Sequence, residues 1–317
     1  MLSYKIFGLN SFAFHSVSLS LHLINSVLIS VIVLKIFKNY RASISGAFIY
    51  AVASFHYMSL PWSALTWNVI GTFFVLTTIL LFLNYYNTRK KVSISIGIII
   101  TYLLALASNE FAIILFVLLL IAFFYLGKTL KEIIKKDYVL PCILSGIAFI
   151  YLMLRFIVFP IPAIGDYSFS LSPFSFIKTL FWYLLWLFNL PDEFRYQIVI
   201  TKLQLTKTIL NDVGSYLLPM VVSFFLSIFF LIALLKRSRI RYKLLLPPIL
   251  IFVIFLLPVL FMPYHSYPYY LTLPSLGSIF LWAHVLNYLK SNISNNLLIA
   301  GFLLLVFFIS TLNIHKS

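Results

Sequence analysis

Three ionisable residues lie beside the ends of apolar segments, where side chains can do chemistry at a membrane surface. Glu110 follows Ser108 and Asn109 in a short turn between two apolar runs. A carboxylate held near a bilayer can transfer a proton or pair with a cation. Arg155 lies near the end of another apolar run, and a guanidinium binds phosphate oxygens in pairs. His265 lies in a Tyr-rich segment and could donate to an anion.

These residues predict an anion-binding site, with Arg155 and His265 as candidate phosphate ligands and Glu110 as the candidate catalytic carboxylate or partner of Arg155. Ordinary structural interpretations compete with this one. Glu110 would then be a solvated turn residue and Arg155 would extend to the membrane interface. The aromatic segment 263–270 would be an interfacial belt of the kind common in membrane proteins.

A second set of polar residues lies along the first apolar run. His15, Ser18, His22 and Asn25 are separated by 3, 4 and 3 positions, so they share one helical face. Polar side chains in lipid usually face the bundle interior. They would either bond neighbouring helices together or line a site. His15 and His22 are two turns apart, about 10 Å, which is too far to share one metal ion directly. No metal and no cofactor is therefore predicted, although a divalent cation stays open.

The remaining candidates share a position near the same predicted membrane boundary. We expect a pocket at this boundary to be lined by His15, His56, Trp62, Trp67, Asn68, Tyr269 and Tyr270.

Composition predicts which elements must position these side chains. Hydrophobic residues make up 62% of the 317 residues and charged residues only 9%, whereas soluble chains average about 25% charged residues. Such a surface suits lipid, so the predicted fold class is all-α, a polytopic transmembrane helix bundle. The net charge of +16 lies in short clusters between apolar runs. These clusters indicate membrane topology rather than nucleic-acid binding.

The apolar runs predict about ten spans plus one interfacial helix within a single transmembrane domain, 1–317. The outer-face loop is residues 160–212, in which prolines interrupt the pattern and residues 174–190 form the interfacial helix. The predicted spans are 12–37, 42–60, 63–86, 92–109, 111–127, 138–159, 213–235, 244–262, 268–289 and 297–314.

The distribution of basic residues favours ten spans over eleven. Ten spans place sixteen of the 23 basic residues on one side, which is the cytoplasmic side by the positive-inside rule. The candidate site then lies on the opposite side, with both termini. The sixteen are Lys35, Lys38, Arg41, Arg89, Lys90, Lys91, Lys128, Lys131, Lys135, Lys136, Lys236, Arg237, Arg239, Arg241, Lys243 and Lys290.

Several motifs, taken in order along residues 7–277, resemble membrane glycosyltransferases of the GT-C type. This class includes the protein O-mannosyltransferases and the tetratricopeptide-bearing transmembrane mannosyltransferases. Each motif is weakly specific alone, and the ordered series is moderately specific. The motifs are Phe7-Gly8-Leu9-Asn10, Phe14-His15, the Leu21–Asn25 run, Phe55-His56 with Trp62 and Trp67, Ser108-Asn109-Glu110, Tyr151–Arg155 and Tyr269–Gly277.

The resemblance implies transfer of a sugar from a polyprenyl-phosphate-linked donor to an acceptor glycan, lipid or protein on the extracytoplasmic face. It implies that Arg155 and His265 hold the lipid phosphate while Glu110 orients them or lines the pocket. The partners would be the lipid-linked sugar, its acceptor and membrane lipids. The predicted localisation is multi-pass in a membrane, the cytoplasmic membrane if the source is bacterial.

Three departures from the family pattern bear on this interpretation. The family's first span and its acidic catalytic loop would precede Phe7, so we expect this sequence to lack them, either as a truncated chain or as an inactive relative. Asn109 stands where the family has Lys, and Asn68 where it often has Arg. The alternatives are a lipid-linked oligosaccharide flippase, polymerase or transporter, which would need a polar path, with His22 and His284 as the only deep ionisable groups, and a non-catalytic scaffold.

Overall fold

The chain is helical throughout the part that the structure describes. The structure is a computed structural model that describes residues 8, 10–85, 91–117, 138–158, 165–188, 190, 192, 207–238, 240 and 242–316. These residues contain α-helices, short 3-10 segments and one π-helical turn, and no strand. The all-α prediction is therefore confirmed for the described residues.

Ten α-helices follow one another within the described ranges. They are α1 Ser11–Phe37, α2 Tyr40–Val52, α3 Thr66–Tyr85, α4 Lys91–Ser108, α5 Val139–Met153, α6 Pro173–Leu187, α7 Lys207–Ser238, α8 Leu246–Leu260, α9 Ser275–Tyr288 and α10 Ile293–Lys316. The short 3-10 segments are Ser54–His56, Ser63–Leu65, Glu110–Ile114, Gly165–Tyr167, Tyr242–Leu245 and Pro268–Thr272, and the π-helical turn is Leu154–Val158.

Seven stretches of the described residues are helical, long and apolar enough to cross a membrane. They are Ser11–Phe37, Ser63–Tyr85, Lys91–Ser108, Val139–Val158, Val221–Ser238, Lys243–Leu260 and Ile293–Leu312. Each coincides with a predicted span, and these seven predictions of an apolar helix are confirmed.

The other three predicted spans differ in outcome. Residues 42–60 end as α-helix at Val52 and continue in short turns, and residues 268–289 contain the 14-residue α9 after a 3-10 segment. Both helices are shorter than the ~20 residues that cross a bilayer. The predicted span 111–127 lies largely outside the described residues. The total of ten spans stays a prediction.

The turn between α1 and α2 shows how local sequence sets the helix boundaries. Lys38 adopts a left-handed conformation with φ of 52°, and its N–H bonds the Leu34 carbonyl, which ends α1. Asn39 follows at once and its side chain accepts from the Ala42 N–H, which caps α2. Two residues therefore reverse the chain, and α2 packs antiparallel along α1.

The short helix α9 lies at the centre of the bundle, between α2 and α8. Gly277 allows α8 to approach so closely that an added Cβ would lie 2.5 Å from the Pro248 carbonyl oxygen. On the other side, Trp282 donates its indole N–H to Ser45 Oγ at 2.7 Å, and both residues are buried. Gly46 of α2 allows a similar close approach, since an added Cβ there would lie 3.0 Å from the Ile279 side chain.

One end of the bundle brings two arginines, Arg41 and Arg237, against the start of α10. Arg41 donates to Asn296 Oδ1 at 3.1 Å and to the Leu289 carbonyl at 3.2 Å. Arg237 donates to Ser294 Oγ at 3.1 Å and to Asn295 Oδ1 at 3.3 Å. The start of α2 and the end of α7 thus meet at the first turn of α10, and we call this group of residues the arginine-rich turn. This is the end that the charge distribution assigns to the cytoplasm.

The segment predicted to be an interfacial helix is helical. The 15-residue α6 has buried Trp182, Tyr183 and Trp186 on one side and is shorter than the seven candidate spans. Just before it, the Ser170 N–H donates to the Phe261 carbonyl at 2.9 Å, which joins the preceding loop to the end of α8. Much of 160–212 lies outside the described residues, and its placement in the interface stays a prediction.

Candidate functional site

Glu110 and Arg155 meet at the end of the bundle opposite the arginine-rich turn. Arg155 Nε donates to Glu110 Oε2 at 3.0 Å, an ion pair between residues 45 positions apart. The Arg155 side chain is 30% exposed and that of Glu110 is 45% exposed. The structure thus brings together the carboxylate and cation that the sequence offered as partners. Their partial exposure leaves the pair accessible to a ligand at the membrane boundary.

Two unusual helical turns place this pair. Glu110 opens the 3-10 segment Glu110–Ile114, which is capped by Asn109: the Asn109 Oδ1 accepts from the Phe111 N–H at 2.9 Å. Arg155 lies in the π-helical turn Leu154–Val158 that follows α5. Single π-helical turns in α-helices are frequently found at functional sites. This turn changes the direction in which Arg155 leaves the helix.

A buried chain of amides connects Glu110 with the aromatic segment. Asn109 Nδ2 donates to Asn68 Oδ1 at 3.0 Å. Asn68 Nδ2 in turn donates to the Tyr269 carbonyl at 2.9 Å and to Thr272 Oγ1 at 3.0 Å. Asn68, Asn109 and Thr272 are all at most 3% exposed. Because each buried amide is bonded, this chain fixes the turn of Glu110 relative to the segment Pro268–Thr272.

The two asparagines are two of the three points at which the sequence departs from the pattern it resembles, and they touch each other. In the sequence they are 41 positions apart, and nothing there connects them. The signal that could have linked them is that the resemblance places a long cation at both positions. Asn68 was predicted to line the pocket, but both its amide nitrogen and its amide oxygen are hydrogen-bonded to other residues of the protein.

The aromatic segment 263–270 forms a stacked cluster next to the ion pair. Tyr270 packs edge-on against Phe111, with ring centroids 5.1 Å apart. Phe111 directly follows Glu110 in the sequence. His265 lies over the ring of Tyr167, with centroids 4.1 Å apart. Tyr167 follows Gly165, whose φ of 69° makes the turn. Tyr167 was not among the predicted residues, since its loop gave no pattern.

Two tyrosines of the cluster are enclosed by their neighbours. Tyr269 and Tyr270 have ring centroids 4.4 Å apart, and Tyr269 also contacts Trp67 edge-on at 6.5 Å. Burial raises the pKa of Tyr269 to about 12 and also raises the pKa of Tyr270. Both phenols therefore keep their protons at neutral pH and can act as hydrogen-bond donors.

The polar face of α1 divides into a bonded part and an open part. Ser18 Oγ lies 3.1 Å from Thr66 Oγ1, His22 Nε2 donates to the Ala51 carbonyl at 3.0 Å, and Asn25 Nδ2 donates to the Val69 carbonyl at 3.0 Å. These contacts confirm bonding between helices for three of the four residues. His15, nearer the helix start, is exposed.

His15 and His56 line one open cavity of about 480 Å³ between α1 and the end of α2. Its walls are mainly apolar and include Leu19, Ala53 and Pro61. His56 itself is 2% exposed and packs its ring against His22, with centroids 4.4 Å apart. Trp62, by contrast, is 56% exposed and lies at the surface.

Four further acidic residues lie between positions 166 and 212 of the sequence. Asp192 is buried, whereas the side chains of Asp166 and Asp212 and the whole of Glu193 lie outside the described part. Within the residues that the structure describes, no group of three His, Cys, Asp or Glu side chains could hold a metal ion. Cys142 is exposed on α5 and is the single cysteine of the sequence.

Fold and composition together indicate the class of protein to which this chain belongs. Over the residues that the structure describes, the chain is all-helical and has seven helices long and apolar enough to cross a membrane, which is the make-up of a multi-pass membrane protein. A scan against protein-family models, a search of curated proteins and a search of solved structures each gave no match.

Proposed function

We propose that this protein transfers a sugar from a polyprenyl-phosphate-linked donor to an acceptor at the extracytoplasmic membrane surface. The observation that carries the proposal is the Glu110–Arg155 ion pair at the end of the bundle opposite the basic turn. The GT-C-type resemblance supports it, since both residues lie in motifs of that series. A polyprenyl phosphate places its phosphate at the membrane boundary, the depth at which a partly exposed arginine can bind it.

In this proposal Arg155 binds the phosphate that leaves with the lipid. A guanidinium has five N–H donors, so it can hold a carboxylate and a phosphate at the same time. Charge on the phosphate grows as the bond to the sugar breaks, and a fixed cation stabilises that charge. Glu110 then acts as a positioning residue, because its carboxylate fixes the direction of the Arg155 side chain.

The aromatic cluster supplies the second side of the proposed site. The rings of His265 and Tyr167 pack against each other at a tilt of 31°, and Tyr270 connects them to Phe111 and so to the turn of Glu110. His265 donates to the phosphate, and the tyrosine rings stack against the sugar. The bond between the anomeric carbon of the sugar and the phosphate oxygen breaks, and the acceptor oxygen bonds that carbon. The proton of the acceptor hydroxyl passes to a carboxylate base.

The transport alternative has less support from the contacts of its two deep histidines. His22 bonds the Ala51 carbonyl and packs against His56, whereas His284 packs edge-on against Phe37 with centroids 4.7 Å apart. The two histidines have different neighbours, and none of these contacts joins them into a polar path.

The test uses the purified full chain in liposomes with polyprenyl-phosphate-linked hexoses and a membrane extract as acceptor. Release of free polyprenyl phosphate is measured. We expect Arg155→Ala to lower the rate about a hundredfold, with Arg155→Lys between Ala and the unmodified protein. Arg237→Ala is the matched control, since it removes an arginine that donates to neutral partners at the opposite end.

The proposal is overturned if Arg155→Ala and Arg237→Ala turn over the donor at the same rate. It is equally overturned if the unmodified chain releases no polyprenyl phosphate from any hexose donor. Glu110→Gln separates positioning from binding: we expect the rate to fall less than in Arg155→Ala, because the cation is retained.

A further inference from the structure

His56 lines a cavity and takes no part in the proposed transfer site. The ring of His56 is 2% exposed, and among the described residues neither of its nitrogens has a hydrogen-bond partner of good geometry. A backbone hydrogen bond from the ring to Tyr50 falls short of that geometry, and it can serve only one of the two nitrogens. A buried imidazole nitrogen without a partner has lost its hydrogen bond to water with no replacement, which costs free energy. A ligand that bonds it removes this cost.

Neighbouring side chains do not supply the bond. His22 is the nearest polar ring, but its Nε2 is committed to the Ala51 carbonyl and its Nδ1 is buried without a partner as well. Phe55 and Tyr50 contact His56 through their rings, with centroids 4.6 Å away in both cases. The ring of His56 is therefore packed among aromatic rings, and His56 forms part of the cavity wall.

The cavity has the size and lining of a ligand site. Its volume of about 480 Å³ lies within the range of roughly 300–1,000 Å³ that is typical of small-molecule pockets. Phe12, Leu19 and Pro61 give it apolar walls, and His15 and His56 supply polar atoms. Phe12 and Leu19 are 78% and 51% exposed on α1, a candidate membrane span, so the opening faces the lipid phase.

We propose that this cavity binds a membrane-dissolved lipid through its hydroxyl group, which hydrogen-bonds His56 while its hydrocarbon chain lies along α1. The mainly apolar lining favours a hydrocarbon body. A neutral hydroxyl both donates and accepts, so it satisfies either nitrogen of an imidazole, whereas burial disfavours the charged imidazolium that would attract a phosphate. A bilayer molecule reaches the opening without leaving the membrane. The proposal does not depend on the transferase activity.

The experiment uses three photoreactive probes in proteoliposomes that contain the full chain. Each carries the same long alkyl chain with a diazirine, and the probes end in a hydroxyl, in a methyl group or in a phosphate. Cross-linked peptides are identified by mass spectrometry. We expect the alcohol to label residues 12–19 and 51–61 about tenfold more than the alkane, the difference made by one buried hydrogen bond.

Two variants keep the test independent of folding defects. His56→Phe should reduce labelling by the alcohol to the level of the alkane. Leu19→Trp fills the cavity from an exposed position and should block labelling while His56 is retained, whereas Leu23→Trp, one helical turn further on and 54% exposed, should not. Equal labelling by alcohol and alkane, preference for the phosphate probe, or unchanged labelling of Leu19→Trp would each overturn the proposal.

Discussion

Gly71 lies so close to Asn109 that any side chain at position 71 would overlap the Asn109 Cβ. This contact lets α3 approach the turn that carries Glu110, and it allows the buried bond from Asn109 to Asn68 to form. The absence of a side chain at one residue of a membrane-spanning helix thus decides where a charged residue of the candidate site stands.

Gly71→Ala should therefore destabilise the protein by about 1–3 kcal/mol, because a packed contact has no space for the extra methyl group. The thermal midpoint of unfolding in detergent measures the effect. Gly146→Ala is the matched control, since an added Cβ there meets nothing within 4 Å. A midpoint as high for Gly71→Ala as for Gly146→Ala would show that the contact does not exist.

The amide pair should behave as a coupled unit. Asn68→Ala and Asn109→Ala each leave the other amide without its partner, and each should cost about 1–3 kcal/mol. The double variant should cost less than the sum of the two, with a coupling of about 0.5–3 kcal/mol, because neighbours that share a bond are not additive. Unfolding midpoints of the four proteins give this coupling. Additive losses would mean that the two side chains act separately.

The ion pair of Glu110 and Arg155 should contribute little to stability despite its short distance. Its side chains are 45% and 30% exposed, and solvent screens such pairs to about 0–1 kcal/mol. Glu110→Gln and Arg155→Ala should consequently unfold close to the midpoint of the unmodified chain. A loss as large as that expected for Gly71→Ala would indicate that the pair serves the fold rather than a ligand.

Loss of the hydrogen bond from Trp282 to Ser45 should lower the free energy of unfolding by more than the net contribution of one ordinary hydrogen bond. Both residues are buried, so Ser45→Ala leaves an indole N–H without an acceptor and should cost about 1–3 kcal/mol. Ser95→Ala is the control, because Ser95 bonds a carbonyl of its own helix at an exposed position. Comparable unfolding midpoints for the two variants would argue against this bond.

The orientation of the bundle can be tested by labelling. In a Cys142→Ser background, Tyr264→Cys places a thiol beside His265, and Lys243→Cys places one near the arginine-rich turn; both positions are exposed. Impermeant maleimide should label the first in intact cells and the second only after permeabilisation. Labelling of both positions from one side would remove the physical basis for placing the site on the extracytoplasmic face.

Composition and hydropathy were sufficient to predict an all-helical fold and seven of its long apolar helices. They did not predict that α2 would end at Val52 or that α9 would begin only at Ser275. A hydropathy window counts apolar residues and cannot detect where a run changes from α-helix to short turns. Helices in the centre of a bundle can be short, because neighbouring helices cover their ends.

The candidate site was predictable in part. A carboxylate and an arginine at the ends of apolar runs indicated a pair, since few charges are available in such a chain. The role of Asn68 was not predictable, because a buried amide and a ligand-binding amide have the same sequence pattern. Tyr167 could be placed beside His265 only by the course of the loop before α6.

Because of the π-helical turn at Leu154–Val158, the candidate site depends on how many residues this turn contains as well as on which residues they are. Such a turn holds one residue more than an α-helical turn, and each residue of an α-helix advances by about 100°. Loss of a single residue there would restore regular helix and swing the guanidinium away from its carboxylate. A relative of this protein could keep every charged residue and still lose the pair through one deleted codon.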